Sequence, residues 1–278
     1  MQKILYDISN VDFAYEVDKP VLHIERLRIK KNQLIFFIGP SGVGKSTLIE
    51  SLGLMSNTIS PGKSSKCNFL AEGKEYNLLE SSNWSDTEKS RIRRDRFSFI
   101  FQDTNLLDYF SAGENMSMNR MLQGSTLRSC KDEIQDLAFQ LNLPKDVFDR
   151  SITQLSGGQR QRLTFIRGIS ADFDVLFCDE PTGNLDPGVA RKMMSFLKST
   201  LKAKQKTALI VTHDILLALE MADIIIPIGF NTYEGSACGE ISKYFYKNGN
   251  DWINEKGDSV EEFNLDFIFR NFFHEGNK

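Results

Sequence analysis

The sequence predicts an α/β fold: a parallel sheet covered on both faces, an antiparallel β portion near the N-terminal end and a helical insertion in the middle. Three observations carry this. Wholly apolar runs occur at residues 34–38, 175–178 and 208–211, separated by stretches of helical pattern, which is how strands buried on both sides read. Residues 1–38 divide into short strand-like segments. Residues 112–143 are mainly of helical pattern and fall between two strand-like runs.

Taken in order, Tyr6, Ile8, Val11 and Phe13 mark a first strand, residues 21–29 a second and residues 33–38 a third, which stops at Gly39 and Pro40. A helix begins over residues 47–54. Residues 55–90 are rich in Ser, Asn, Gly and Lys and read as loops around short strands. Residues 97–101 form another strand-like run, and a helical subdomain is expected at about 103–155. The main domain is expected to span residues 1–230. Residues 231–278 form an aromatic-rich extension, with about a fifth of its residues aromatic against 11% for the chain. Phe263, Phe267, Phe269, Phe272 and Phe273 in it either pack on this chain or its mate, the favoured reading, or face a partner.

Composition removes several classes. With 278 residues, 26% charged and 41% hydrophobic, the chain is long enough to bury a core and too apolar to be disordered throughout. A net charge of −3 argues against a whole-chain binder of polyanions, and no nucleic-acid partner is expected. The longest apolar runs, 34–38 and 224–228, fall far short of the roughly 20 residues that span a bilayer. The N-terminal residues include Asp7 and no apolar signal core, so a cytoplasmic location is expected. Cys67, Cys130, Cys178 and Cys238 are scattered, without a CxxC pair, and read as reduced thiols.

The motifs carry the chemistry. Gly39, Pro40, Ser41, Gly42, Val43, Gly44, Lys45, Ser46 and Thr47 match the phosphate-loop pattern between a strand and a helix. Glycines let backbone N–H groups turn inward around phosphate oxygens, and the helix start adds its positive end. Lys45 is expected on the β- and γ-phosphates and Ser46 on Mg²⁺. Residues 175–180 (VLFCDE) form an apolar strand ending in two acids. Asp179 is placed to hold Mg²⁺, and Glu180 to orient or polarise an attacking water. Residues 155–159 read LSGGQ. Ser156, Gly157, Gly158 and Gln159 open a helix, where N–H groups make an anion-binding nest.

With LSGGQ in place the sequence resembles the ATP-binding cassette (ABC) ATPases, over about residues 1–230. The resemblance implies a P-loop cassette in which LSGGQ completes the site of a second subunit, so that two ATP molecules are held between two cassettes. Gln102 resembles the Q-loop glutamine, which senses Mg²⁺ and the γ-phosphate and links to the transport partner. Asn184, Leu185 and Asp186 resemble the D-loop at the dimer interface. His213, 33 residues after Glu180, resembles the switch histidine and is assigned to the γ-phosphate. Tyr15 resembles the aromatic that stacks on adenine, with core packing as the alternative.

Residues 181–186 (PTGNLD) and 103–115 (DTNLLDYFSAGEN) look like the branch that contains lipoprotein-release, macrolide-efflux and cell-division cassettes. The chain departs from the family pattern in the long spacing from Lys45 to Gln102, in Gly168 where Ala is usual, in Phe173 for a usual Pro, and in Cys178 for a small apolar residue. None of these removes a catalytic group. The basic run Arg91, Arg93, Arg94 and Arg96 reads as a solvated helix face rather than a nucleic-acid or lipid site. The implied protein is an MgATP-hydrolysing subunit, homodimeric with a second cassette and peripheral on the cytoplasmic face of the cell membrane. There it would power an integral, permease-like partner, by transport or by mechanical transmission. The alternative is a soluble cassette ATPase with a ribosomal, DNA or defence-system partner.

Overall fold

The computed structural model describes residues 3–16, 19–183, 185–233, 236–241, 243–249 and 251–261, with residues 265 and 269. Its parallel centre contains β3 (Leu34–Ile38), β6 (Phe97–Ile100), β7 (Val175–Asp179), β8 (Thr207–Thr212) and β9 (Ile224–Tyr233). They lie side by side in the order β6-β7-β8-β3-β9. Side chains alternate across a strand, and here the alternation divides the core in two. Leu34, Phe36, Ile38, Leu176, Cys178, Ala208 and Ile210 face one apolar cluster, shared with the middle and C-terminal helices. Ile35, Phe37, Val175, Phe177, Leu209 and Val211 face the other, shared with the antiparallel strands. Each Leu, Ile, Val and Phe among them contributes about 1.5–3 kcal/mol by leaving water. Their apolarity on both faces is the reason the three runs read as continuous in the sequence.

The antiparallel portion is β1 (Ile4–Glu16), β2 (Lys19–Lys30), β4 (Ile59–Ala71) and β5 (Lys74–Asn77), in the order β5-β4-β1-β2. Strand β4 is the main difference from expectation in 55–90. It is one long irregular strand against β1, with a register break between Ser9 and Val11, and not several short ones. Its buried residues Cys67, Phe69 and Ala71 keep the period of two that the surrounding Ser and Lys residues obscure. Strand β10 (Ser236–Ile241) runs parallel to β2 and antiparallel to β9, joining the two halves.

Helix α1 (Lys45–Leu52) follows β3, and α2 (Asp86–Arg96) precedes β6. The helical insertion holds α3 (Ala112–Leu122) and α4 (Leu127–Gln140), each opened by a capping box: Ser111 with Glu114, and Thr126 with Ser129. Gly124, at φ 96°, lies in the turn between them. Helices α5 (Gly157–Ser170), α6 (Pro187–Lys204) and α7 (Ile215–Met221) complete the layer.

Strand β9 runs through position 230, and β11 (Phe245–Asn248) pairs with it, followed by β12 (Asp251–Asn254) and β13 (Ser259–Val260). Phe245, Trp252, Leu265 and Phe269 are buried in the first cluster, with the Phe245 and Phe269 rings 5.5 Å apart. Phe269 thus packs on its own chain. Phe263, Phe267, Phe272 and Phe273 lie outside the described residues. The family departures have local causes. A Cβ on Gly168 would lie 2.6 Å from Ile100 Cγ1, so Ile100 occupies the space a methyl would need. Phe173 and Cys178 are both buried in the core. The basic run lies on α2, where Arg93 donates to Leu54 O and Arg96 to Asp174 and Glu72.

Candidate nucleotide site

Strands β3, β8 and β7 are neighbours, so the loops that leave their carboxyl ends converge, the usual place for a ligand in an open α/β sheet. From β3 comes the phosphate loop. Gly42 and Gly44 have φ of 81° and 94°, in the left-handed region that favours glycine. A Cβ on Gly42 would meet nothing within 4 Å, so the loop is exposed at this glycine. The back of the loop is pressed against the sheet. A Cβ on Gly39 would lie 2.3 Å from Ile228 O, and one on Gly44 would lie 2.9 Å from Leu22 Cβ.

Lys45 is buried, and its ammonium donates to Gly39 O and Pro40 O, both at 2.8 Å. Burial lowers its pKa, while the charges of Glu180 and Asp179 pull the other way. Ser46 is exposed at the head of α1 and Thr47 is buried. Tyr15 is 63% exposed, and its hydroxyl lies 3.3 Å from Thr47 Oγ1. Its ring therefore stands beside the phosphate loop and outside the core, which removes core packing as its role.

Asp179 ends β7. Burial, and then the Asp179 charge, raise the pKa of the Glu50 carboxyl, so one negative field acts on both Glu50 and Lys45. Glu180 has φ 45°, in the left-handed region, and its N–H donates to Val211 O at 3.0 Å. Its Oε1 lies 2.9 Å from His213 Nδ1, and its Oε2 accepts from Thr212 Oγ1 at 3.2 Å. The structure thus brings together Lys45, Asp179, Glu180 and His213, residues that are far apart in the sequence. Hard oxygen donors at Ser46 and Asp179 beside a phosphate cradle suit Mg²⁺, which uses few protein ligands and keeps waters.

Gln102 lies exposed just after β6. Ser156 and Gln159 form a capping box at the start of α5: Gln159 N donates to Ser156 Oγ, and Ser156 N donates to Gln159 Oε1. A Cβ on Gly157 would meet nothing within 4 Å, and one on Gly158 only Leu185 Cδ2 at 4.0 Å. This turn faces open surface on the single chain. Asp186 caps α6 by accepting from Val189 N at 3.0 Å, and Leu185 is half-buried beside Gly158. Asn184 lies outside the described residues.

Two residues with structural roles here were missed by sequence reasoning, and Thr212, buried at the end of β8, was read only as part of the stretch around the switch histidine, without a role of its own. Gln161 donates to Pro181 O at 2.8 Å, tying α5 to the turn after Glu180. Arg167 donates to Asn105 O and Thr104 O, tying α5 to the loop after Gln102. A lone Arg and a lone Gln on the apolar side of a helix are the faint signals that could have found the last two.

Comparison with known proteins gives the family and the fold. The family model described as ABC transporter matches residues 22–183. The lipoprotein-releasing system ATP-binding protein LolD of Wigglesworthia glossinidia brevipalpis is 33% identical over 221 residues, covering 78% of this chain and 91% of that protein. LolD of Ehrlichia ruminantium (strain Gardel) is 34% identical over 208 residues, covering 75% and 86%. Among solved structures, the dimeric bacterial ABC transporter cassette MJ0796 matches with a TM-score of 0.69 at 24% identity, over 88% of this chain and 100% of that one. The same cassette in a post-hydrolysis state with ADP and Pi gives a TM-score of 0.68. The chain belongs to the ABC transporter family, as one of its ATP-binding and ATP-hydrolysing subunits.

Proposed function

We propose that two copies of this chain close face to face on two MgATP, and that closing and reopening power an integral membrane partner. The observation that carries this reading is the convergence of Lys45, Asp179, Glu180 and His213 at the carboxyl ends of β3, β7 and β8. In each site the phosphate loop, residues 39–47, cradles the phosphates with its N–H groups and Lys45. Tyr15 stacks on the adenine. Ser46 and Asp179, with Gln102, hold Mg²⁺, which when bound neutralises charge on the β- and γ-phosphate oxygens.

Glu180 orients the attacking water and accepts its proton. His213 leaves Glu180 to contact the γ-phosphate. Ser156, Gly157, Gly158 and Gln159 of the other copy supply N–H groups to the same phosphate, and Asn184, Leu185 and Asp186 line the dimer interface. These fixed donors stabilise charge that grows in the transition state. Hydrolysis removes the group both copies hold, so the closed dimer loses its differential stability and opens.

The membrane partner docks in the groove between α2, β6 and α3. This groove, of about 340 Å³, is lined among others by Met55, Phe99, Phe101, Met118 and Leu122, with Arg93 on its rim. Among the described residues no helix is long and apolar enough to cross a membrane. The LolD relatives are named for lipoprotein release. We assign this chain to the same kind of work, the extraction or mechanical movement of a membrane-associated cargo. The test is affinity capture of the Glu180→Gln chain from detergent-solubilised membranes with MgATP. Recovery of an integral membrane protein, lost on mutating Phe101 and Leu122 to Asp, supports the reading. Capture of soluble protein or RNA alone contradicts it.

A further inference from the structure

Both oxygens of the Glu180 carboxylate are engaged, by residues of opposite character. His213, on Oε1, has a side chain 73% exposed and free to swing. Thr212, on Oε2, is 2% exposed and ends β8, whose six residues are all buried. Its branched side chain at a buried strand end has little rotamer freedom. The direction of its hydrogen bond is also settled. The Asp214 N–H donates to Thr212 Oγ1 at 3.1 Å, and an amide can only donate. Thr212 Oγ1 is therefore the acceptor there, and its single proton points to Glu180 Oε2. Asp214 is held in turn, because its carboxylate caps α7 by accepting from Leu217 N at 2.9 Å. Glu180 itself sits on a left-handed backbone at φ 45°, a conformation uncommon for a residue with a Cβ.

We propose that Thr212 is a positioning residue for hydrolysis: a fixed donor that anchors Glu180 Oε2, so that Oε1 is the oxygen presented to water once His213 turns away. His213 is then the movable member of the pair and Thr212 the stationary one. The inference rests on Glu180 being the hydrolytic residue. Thr212 touches neither ATP nor water in this scheme and acts only through Glu180.

The test compares MgATP hydrolysis by the full chain with Thr212→Val, which keeps the shape and removes the hydroxyl, and with Thr212→Ser, which keeps the hydroxyl. Thr212→Val is expected to lower kcat about tenfold, the scale of one hydrogen bond to a charged group, with KM for MgATP within about twofold of the unmodified chain. Thr212→Ser is expected to recover most of that loss. In a Glu180→Gln background, Thr212→Val is expected to add no further loss, because the two residues act as one unit. An unchanged kcat in Thr212→Val overturns the inference, as does a loss that Thr212→Ser shares in full. If Thr212→Val does not fold, the same comparison is made between Thr212→Ala and Thr212→Ser, and equal kcat values overturn it. Full hydrolysis by Glu180→Gln alone instead overturns the hydrolytic role of Glu180. An inactive Glu180→Gln with an unchanged Thr212→Val sinks only the role of Thr212.

Discussion

A Cβ atom on Gly239 would lie 2.1 Å from the carbonyl oxygen of Val43. The phosphate loop therefore rests directly on β10, a strand near the C-terminal end of the chain that enters the sheet between β2 and β9. The obstacle is backbone and cannot rotate away, so any side chain at 239 must shift either the loop or the strand, and the loop has fewer ladder bonds to hold it. Gly239→Ala is expected to raise KM for MgATP at least fivefold and to lower stability by about 1–3 kcal/mol, the cost of overpacking. Steady-state kinetics and thermal melts of the same preparation check both. An unchanged KM would mean that the strand, and not the loop, gives way.

The glycines of the LSGGQ turn predict the reverse pattern. A Cβ on Gly158 would meet only Leu185 Cδ2 at 4.0 Å, so the single chain has room for a side chain there. Gly158→Asp also places an acid in the first turn of α5, which favours the isolated helix by about 0.3–1 kcal/mol. The chain should melt at the same temperature or slightly higher. ATP hydrolysis should be lost, because in the proposed closed dimer the new carboxylate would face the phosphates bound by the other copy. Melting curves and phosphate release measured side by side decide it. Retained hydrolysis would show that this turn does not complete a site.

Tyr15 is mostly exposed, so its removal should cost little stability. Tyr15→Ala is expected to shift stability by under about 1 kcal/mol and to raise KM for MgATP roughly tenfold. Tyr15→Phe should keep the affinity, since stacking uses the ring face. Titration with a fluorescent ATP analogue reads all three proteins. A weak Tyr15→Phe would point to the Thr47 contact in place of stacking.

Acid stability should depend on Asp7. Burial raises the pKa of its carboxyl, but hydrogen bonds and charge from Lys66 and Arg28 outweigh burial, and the net shift is downward. A folded pKa below the unfolded one means stability that is present above the ordinary carboxylate range. It is lost as pH falls through the lowered folded value. Arg28 and Lys66 are each about half exposed, so the contribution is on the order of 1 kcal/mol. Asp7→Asn should be less stable than the unmodified chain at pH 7, and the gap should close on acidification. Urea melts at pH 7 and in the acid range measure this. A gap that stays constant would assign the loss to packing.

Much of the parallel sheet was legible because its strands are apolar on both faces, and continuous runs such as 34–38 and 208–211 are too short to be buried helices. The phosphate-loop pattern and the acids ending β7 could be picked out as motifs, and His213 only through the family resemblance; the structure adds that Glu180 and His213 touch, at 2.9 Å. Strand β4 was not, because its apolar alternation is confined to Cys67, Phe69 and Ala71 and the Pro, Gly, Ser and Lys residues at 60–66 before it imitate a loop. The role of Thr212 was hidden for another reason. A hydroxyl at the end of a buried strand has no local pattern, and its meaning comes from Glu180, 32 positions earlier in the chain. Gly239 was equally silent, since the constraint on it is set by Val43 across the sheet.

In the proposed cycle ATP joins two copies of this chain, and hydrolysis through Glu180 releases them. Sedimentation velocity of the Glu180→Gln chain is measured with MgATP and with MgADP. A dimer of the 31.7 kDa chain is expected with MgATP, a monomer with MgADP, and no dimer in a Gly158→Asp, Glu180→Gln double variant. A chain that stays monomeric with MgATP, or one whose dimer is indifferent to the nucleotide, would contradict it.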